Sequence, residues 1–226
     1  TIQTLDHCLW GTNRINIIIA SKQPMPQWLD TDEAEKHAIR GASTWGWAST
    51  DDGRDPDVVL AAAGDNLTLE TMAAAQYLLE EVPELRIRVV NVTDLMVLGT
   101  ATEHPHGLSQ EAFVELFTAD RPVIFNFHGY PGAIRQLLFG RPSPSRFQIS
   151  GYQEEGTTTT PFDMHVQNGT SRWHIVQRAV RASSSLPASR VGAVTMDMER
   201  RLIEHRRYIE QHGADPDEIA DWTWRR

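Results

Sequence analysis

Three polar residues stand where short apolar runs end, and each could meet a ligand: Lys22 after Ile15 to Ser21, Asn66 after Val58 to Ala63, and His128 after Pro122 to Phe127. In open α/β sheets ligands collect at the carboxyl ends of strands, where helix N-termini present free N–H groups and a partial positive charge. An ammonium group at Lys22, set between a buried strand and Pro24, could meet a phosphate. The chain has only two lysines, Lys22 and Lys36, so Lys22 is not one of a crowd; its other reading is a solvated lysine at a strand end. For Asn66 the favoured reading is a plain helix cap. For His128 the favoured reading is a histidine whose ring nitrogens bond backbone in the turn before Pro131.

Other groupings carry less chemistry. Gly64, Asp65 and Asn66 followed by Asn91 mimic a Gly-Asp-Gly motif for Mg²⁺ and a diphosphate. The third glycine, which would let backbone approach the diphosphate, is absent, and Asn91 falls inside an apolar β run. His104 and His106 flank Pro105 without a nearby cysteine or further histidine, so a polar loop is expected there rather than a metal site. No G-x-G-x-x-G, P-loop or G-x-S-x-G string occurs. Arg200, Arg201, Arg206 and Arg207 alternate with Glu199, Glu204 and Glu210, the pattern of a solvated helix face with compensated charge.

Composition sets the outer bounds. With 226 residues, 40% hydrophobic and 23% charged, the chain can bury one sizeable core. One cysteine, Cys8, excludes an intramolecular disulfide scaffold and a zinc ribbon, and points to a reducing compartment, with a cytoplasmic location expected. A net charge of -9 argues against a nucleic-acid surface. No apolar stretch approaches the roughly 18 residues of a membrane span. The sequons at Asn66, Asn91 and Asn168 lack a visible secretory signal. The chain begins with Thr1, so a longer parent polypeptide is expected.

The elements that must hold these residues follow from period and punctuation. Ile15 to Ser21 reads as a strand buried on both faces. Asp30 with Glu33 forms a capping box, so residues 31 to 40 should be helical until Gly41. Trp45 and Trp47 alternate across a strand-like stretch, and the polar cluster Ser49 to Pro56 sets a boundary near residue 50. Beyond it, Val58 to Ala63, a helix with Met72, Ala75, Leu78, Leu79 and Val82 on one stripe, and Leu85 to Val92 form a βαβ unit. Such a unit predicts an open, mostly parallel sheet with helices on both faces. Ser109 should cap the next helix; Pro122 to Phe127 and Arg146 to Tyr152 read as strands; Ser171 to Ala182 and Val194 to Gln211 read as helices. The last of these has Met198, Leu202, His205 and Ile209 along its apolar seam.

Three strings together resemble the C-terminal part of phosphoketolases: Ile19 to Pro24, Phe125 to Pro131 and Gly151 to Met164. The resemblance extends over nearly the whole chain. It implies a phosphorolytic cleavage of xylulose 5-phosphate or fructose 6-phosphate that yields acetyl phosphate and an aldose phosphate. It also implies thiamine diphosphate and Mg²⁺ held by sequence N-terminal to this chain, so the chain itself is expected to bind neither and to carry no catalytic residue. By the same resemblance Lys22 matches a lysine that contacts the sugar phosphate. The remainder looks like the transketolase-type C-terminal domain, a mostly parallel sheet with an antiparallel edge strand, which is placed at Arg146 to Tyr152, and with a role in dimer contact.

The reading is therefore a mostly parallel α/β sheet with helices on both faces and one antiparallel edge strand. Residues 1–50 close a preceding pyrimidine-binding domain and residues 51–226 form the C-terminal domain. Its expected partners are the rest of its own polypeptide, a second copy in a homodimer, a ketose phosphate and inorganic phosphate, with no nucleic acid and no membrane. The alternatives are a free-standing α/β module binding a small phosphorylated ligand near Asn66 and His128, or a purely structural dimerisation domain.

Overall fold

The computed structural model describes residues 2–11, 15–21, 24–153 and 158–225. The chain enters through helix α1 (Ile2–Leu9) and helix α2 (Thr31–Arg40). Both arms of the capping box form at the start of α2: the Glu33 amide donates to Asp30 Oδ1 at 2.9 Å and the Asp30 amide to Glu33 Oε2 at 3.3 Å. Gly41 closes the helix at φ +71°, a conformation glycine adopts without steric cost.

The sheet has five strands: β1 (Ala42–Thr44), β2 (Val58–Ala63), β3 (Ile87–Val92), β4 (Val123–Phe127) and β5 (Phe147–Gly151), in the spatial order β1-β3-β2-β4-β5. Helix α3 (Asp65–Glu81) crosses from β2 to β3, α4 (Gln110–Phe117) precedes β4, and α5 (Pro131–Leu137) leads toward β5. The α/β reading and the βαβ unit hold as expected. β2 is buried along its whole length and pairs in parallel with both neighbours.

Three expectations need correcting. The segment 146–152 is not the antiparallel strand: β5 runs parallel to β4, with Val123 opposite Phe147. The chain leaves β4 through α5 and returns in the same sense, a crossover rather than a hairpin. The antiparallel strand is β1, at the other edge, where Ala42 lies opposite Val92. Its antiparallel pairing carries the sheet across the turn cluster near residue 50, and the Thr50 amide donates to the Ile87 carbonyl at 2.8 Å. The second correction concerns Ile15 to Ser21. This run joins no ladder, and Ile15, Ile17 and Ile19 are 94%, 84% and 85% exposed. Its apolarity is real, but no described strand of the chain covers it. At Trp45 and Trp47, too, β1 has already ended and Gly46–Ala48 form a 3₁₀ turn.

Helices α6 (Pro161–Gln167), α7 (Arg172–Ala182), α8 (Ala188–His212) and α9 (Asp217–Ala220) complete the chain. One core joins alternate β-strand residues Leu60, Val89 and Ile124 to Met72 and Leu78 of α3, Ile175 and Val176 of α7 and Met198 of α8. The other joins Val59, Val90 and Phe125 to Phe113 and Phe117 of α4 and Ile134 of α5. The Arg-rich face of α8 is compensated as its pattern predicts: Arg200 pairs with Glu204 at 2.7 Å and Arg201 with Asp197 at 2.9 Å. His205 lies in the apolar seam, edge-on to the rings of Phe162 and Trp173. No helix among the described residues is long and apolar enough to cross a membrane.

Segments far apart in the chain meet in an aromatic cluster. Trp28 and Trp47 stack at 6.4 Å, Trp45 and Trp47 at 5.5 Å. Trp222 and Trp224, which follow α9, close over Trp28 and Trp47 at 6.4 and 5.2 Å. The Arg225 amide then donates to Gln76 Oε1 on α3 at 3.1 Å.

Candidate functional site

The strand order creates one switch point. From β2 the chain crosses to β3 on one side, while β4 lies on the other, so the carboxyl ends of β2 and β4 flank a crevice of the kind in which ligands settle. Gly64 leaves β2 at φ +96° and opens α3; a Cβ there would stand 2.5 Å from the Cβ of His128. The His128 amide donates to the Ala63 carbonyl at 2.9 Å, so the two strand ends are locked together. Only glycine permits both this backbone and this approach.

Asn66 and His128 therefore stand on the two strands that border the crevice. Asn66 is the second residue of α3 and Gly64 occupies the cap position, so Asn66 does not cap the helix. The His128 ring is half-buried, edge-on to Tyr152 at 5.4 Å, and its ring nitrogens have no hydrogen bond among the described residues; the backbone-satisfied ring expected from sequence does not form. Burial lowers its pKa and the nearby Asp65 carboxylate partly opposes that shift. Lys22 lies outside the described residues. Its neighbour Ser21 donates its backbone N–H to Asp65 Oδ2 at 2.8 Å, at the head of α3.

The residues of the Mg²⁺ and diphosphate mimic do not fit that group. Asp65 holds the Ser21 amide, and Asn91 is buried, accepting from His37 Nε2 at 2.8 Å and donating to Thr68 Oγ1 at 2.9 Å. Among the described residues no three potential ligands converge for a metal. His106 instead contacts Asp94 Oδ2 through Nδ1 at 2.6 Å, with the ring of His104 edge-on to it. A cavity of about 490 Å³ lies near this loop, lined by Met96, Glu103, His104 and Phe139, and includes none of the crevice residues.

Sequence reading misses a polar row beneath the crevice. Ser43 on β1, Asn91 on β3, Asn126 on β4 and Ser150 on β5 share one register line, which passes through Ala62 of β2. Each meets a polar group from the helical layer. His37 Nδ1 contacts Ser43 at 2.6 Å, Asn126 donates to Thr71 at 3.3 Å, and Arg178 donates to Ser150. Since Asn91 donates its amide to Thr68, its oxygen faces His37, which places the proton of that neutral ring on Nε2. The signal for this row is a polar residue near the carboxyl end of each of several apolar strands, and only the strand pairing aligns them.

Several of these histidines share one electrostatic fate. Burial lowers the pKa of His37, His165 and His174, reaching about 4 at His174, where the Arg178 guanidinium adds repulsion. Below about pH 6.5 the unfolded chain binds protons that these rings resist, so the stability they contribute is complete above about pH 6.5 and is lost as pH falls through their lowered values, near 4 for His174. Urea midpoints measured across this range should decline with acidity, and His174→Gln should flatten the decline. An unchanged slope in that variant would remove His174 from the account.

Comparison with known proteins adds identity of family. A model described as the XFP C-terminal domain matches residues 22–224. "Probable phosphoketolase" of Mesorhizobium japonicum is 53% identical over 97% of this chain and 27% of its own length. "Probable phosphoketolase 2" of a Nostoc species is 48% identical over 99% of this chain and 28% of its own. The chain thus spans little more than a quarter of the curated relatives it matches. A solved transketolase from Leishmania mexicana aligns over 68% of this chain and 20% of its own at 18% identity and a TM-score of 0.44, a likeness too loose to argue from.

Proposed function

The chain belongs to the XFP C-terminal domain family, and on that premise we propose that it is the C-terminal domain of a phosphoketolase that cleaves xylulose 5-phosphate, fructose 6-phosphate or both with inorganic phosphate. The observation that carries this reading is the run of identity, close to half of all positions across nearly the whole chain, to relatives named probable phosphoketolase. In this reading thiamine diphosphate and Mg²⁺ are held by the rest of the polypeptide. The engagement of Asp65 and Asn91 inside the domain agrees with that division. The domain supplies architecture and homodimer contacts, and its isolated form does not turn over. The exposed isoleucines of residues 15–19 support a larger parent, because a free-standing domain gains by hiding such a patch.

Lys22 is the substrate contact in this proposal, and Asn66 and His128 are secondary ones. Support comes from the Ser21 amide, fastened to Asp65 at the crevice, and from the shortage of lysine elsewhere. A lysine opposite a phosphate acts as a point charge and needs no fixed fork of donors. In the intact enzyme Lys22→Ala should raise KM for the sugar phosphate roughly 10- to 100-fold, the loss of one charge-assisted hydrogen bond of about 1.5–3 kcal/mol. kcat should change less. An unchanged KM would remove Lys22 from the phosphate site, whereas absence of acetyl phosphate formation by the unsubstituted enzyme would remove the phosphoketolase reading itself.

A further inference from the structure

Five arginines are at least half withdrawn from bulk water, and four of them reach several acceptors each. Arg88 meets Asp51 and the carbonyls of Glu115 and Arg54. Arg141 donates to the carbonyls of Val97, Leu98, Gly99 and Leu108. Arg146 donates to those of Phe117, Thr118 and Arg121, and Arg172 makes a two-point pair with Glu70. Arg178 differs: its hydrogen bond among the described residues is to one neutral hydroxyl, Ser150. No described carboxylate faces it, and burial alone acts on its pKa, downward.

A largely desolvated cation with one neutral acceptor is costly unless something else supplies negative charge. The surroundings are built for an anion. His174 stands one turn before Arg178 on the same face of α7, held at Nδ1 by Ser171 Oγ at 2.8 Å, with no described partner for Nε2. Ser150 ends the polar row at the edge strand, where Arg178, His174 and Ser150 are all partly exposed, so a small solute can reach them. The geometry points to a phosphate-binding site at Arg178, His174 and Ser150, taking inorganic phosphate or a small phosphomonoester. The planar guanidinium presents two parallel donors to a tetrahedral oxyanion, and the serine and histidine add neutral hydrogen bonds.

The test is calorimetric titration of the intact polypeptide with inorganic phosphate, which needs no turnover and is therefore independent of the proposed reaction. Arg178→Gln should weaken one phosphate site by roughly 30-fold or more, while the exposed Arg207→Gln leaves that site at wild-type affinity. Ser150→Ala and His174→Gln, which keep the cation, should each weaken it several-fold and serve if Arg178→Gln does not fold. Acetate at equal concentration should not compete. Wild-type phosphate affinity and stoichiometry in Arg178→Gln, or in both milder variants, overturns the proposal, as does equal competition by acetate.

Discussion

Arg172→Leu is expected to lower the unfolding free energy by about 3–5 kcal/mol, the cost of leaving one member of a buried ion pair behind. Glu70 is 2% exposed and Arg172 7%. The pair is bidentate, 3.0 Å from Nε to Oε2 and 2.7 Å from Nη2 to Oε1, and the Arg172 amide adds a third donor to Oε2 at 2.7 Å. It fastens α3 to the first turn of α7 within one core. In the variant the carboxylate stays buried with a single backbone donor. Glu70→Leu combined with Arg172→Leu should therefore lose much less than Arg172→Leu alone, because no unpaired charge remains. Urea unfolding of the three proteins decides this; a double variant no better than the single one would locate the loss in packing instead. Acid adds a signature. Burial would raise the Glu70 pKa, yet the Arg172 charge and hydrogen bonds outweigh it and hold the carboxyl below its usual range. The pair's contribution is thus present above about pH 4.5 and fades as pH falls through the lower folded value.

Gly64→Ala should cost about 2–4 kcal/mol, from a backbone held at positive φ and from a methyl group driven into the Cβ of His128. Both atoms in that contact sit close to backbone, so neither can rotate aside. Gly192→Ala is the matched control: this glycine lies within α8, has nothing within 4 Å of the added Cβ, and its replacement should stabilise by up to about 1 kcal/mol. Thermal or urea unfolding of both variants checks the contrast. Equal effects at the two sites would mean that the β2 and β4 ends are not locked as described.

Much of this architecture is legible in residue order because its determinants are local. The capping box of Asp30 and Glu33 and the stripe through Met72, Ala75 and Leu78 act within one or two helical turns, and the structure realises them. His205 joins its apolar seam as its spacing predicts. What escapes the sequence is non-local. Nothing near Phe147 states whether β5 returns parallel or antiparallel; the crossover through α5 decides it. Ile15 to Ile19 carry an apolar pattern that predicts burial but cannot name the covering surface, and no described strand of the chain provides it. Pro161 begins α6, with Thr160 as the cap. Asn91, Asn126 and Ser150 look like isolated polar residues until the register brings them into one row. Arg178, far along the chain, then becomes the end of that row, whereas Lys22 is singled out by the company of Ser21, Gln23 and Pro24 and not by any visible geometry.

The tryptophan cluster has a consequence for the order in which the chain can be completed. Trp28, Trp45 and Trp47 are made well before the rings that close over them, Trp222 and Trp224. Until then a broad indole surface waits uncovered beside a nearly finished sheet, the kind of patch that holdase chaperones recognise. Trp222 and Trp224 thus act as a seal on a nascent domain, and a chain cut short before them leaves it open.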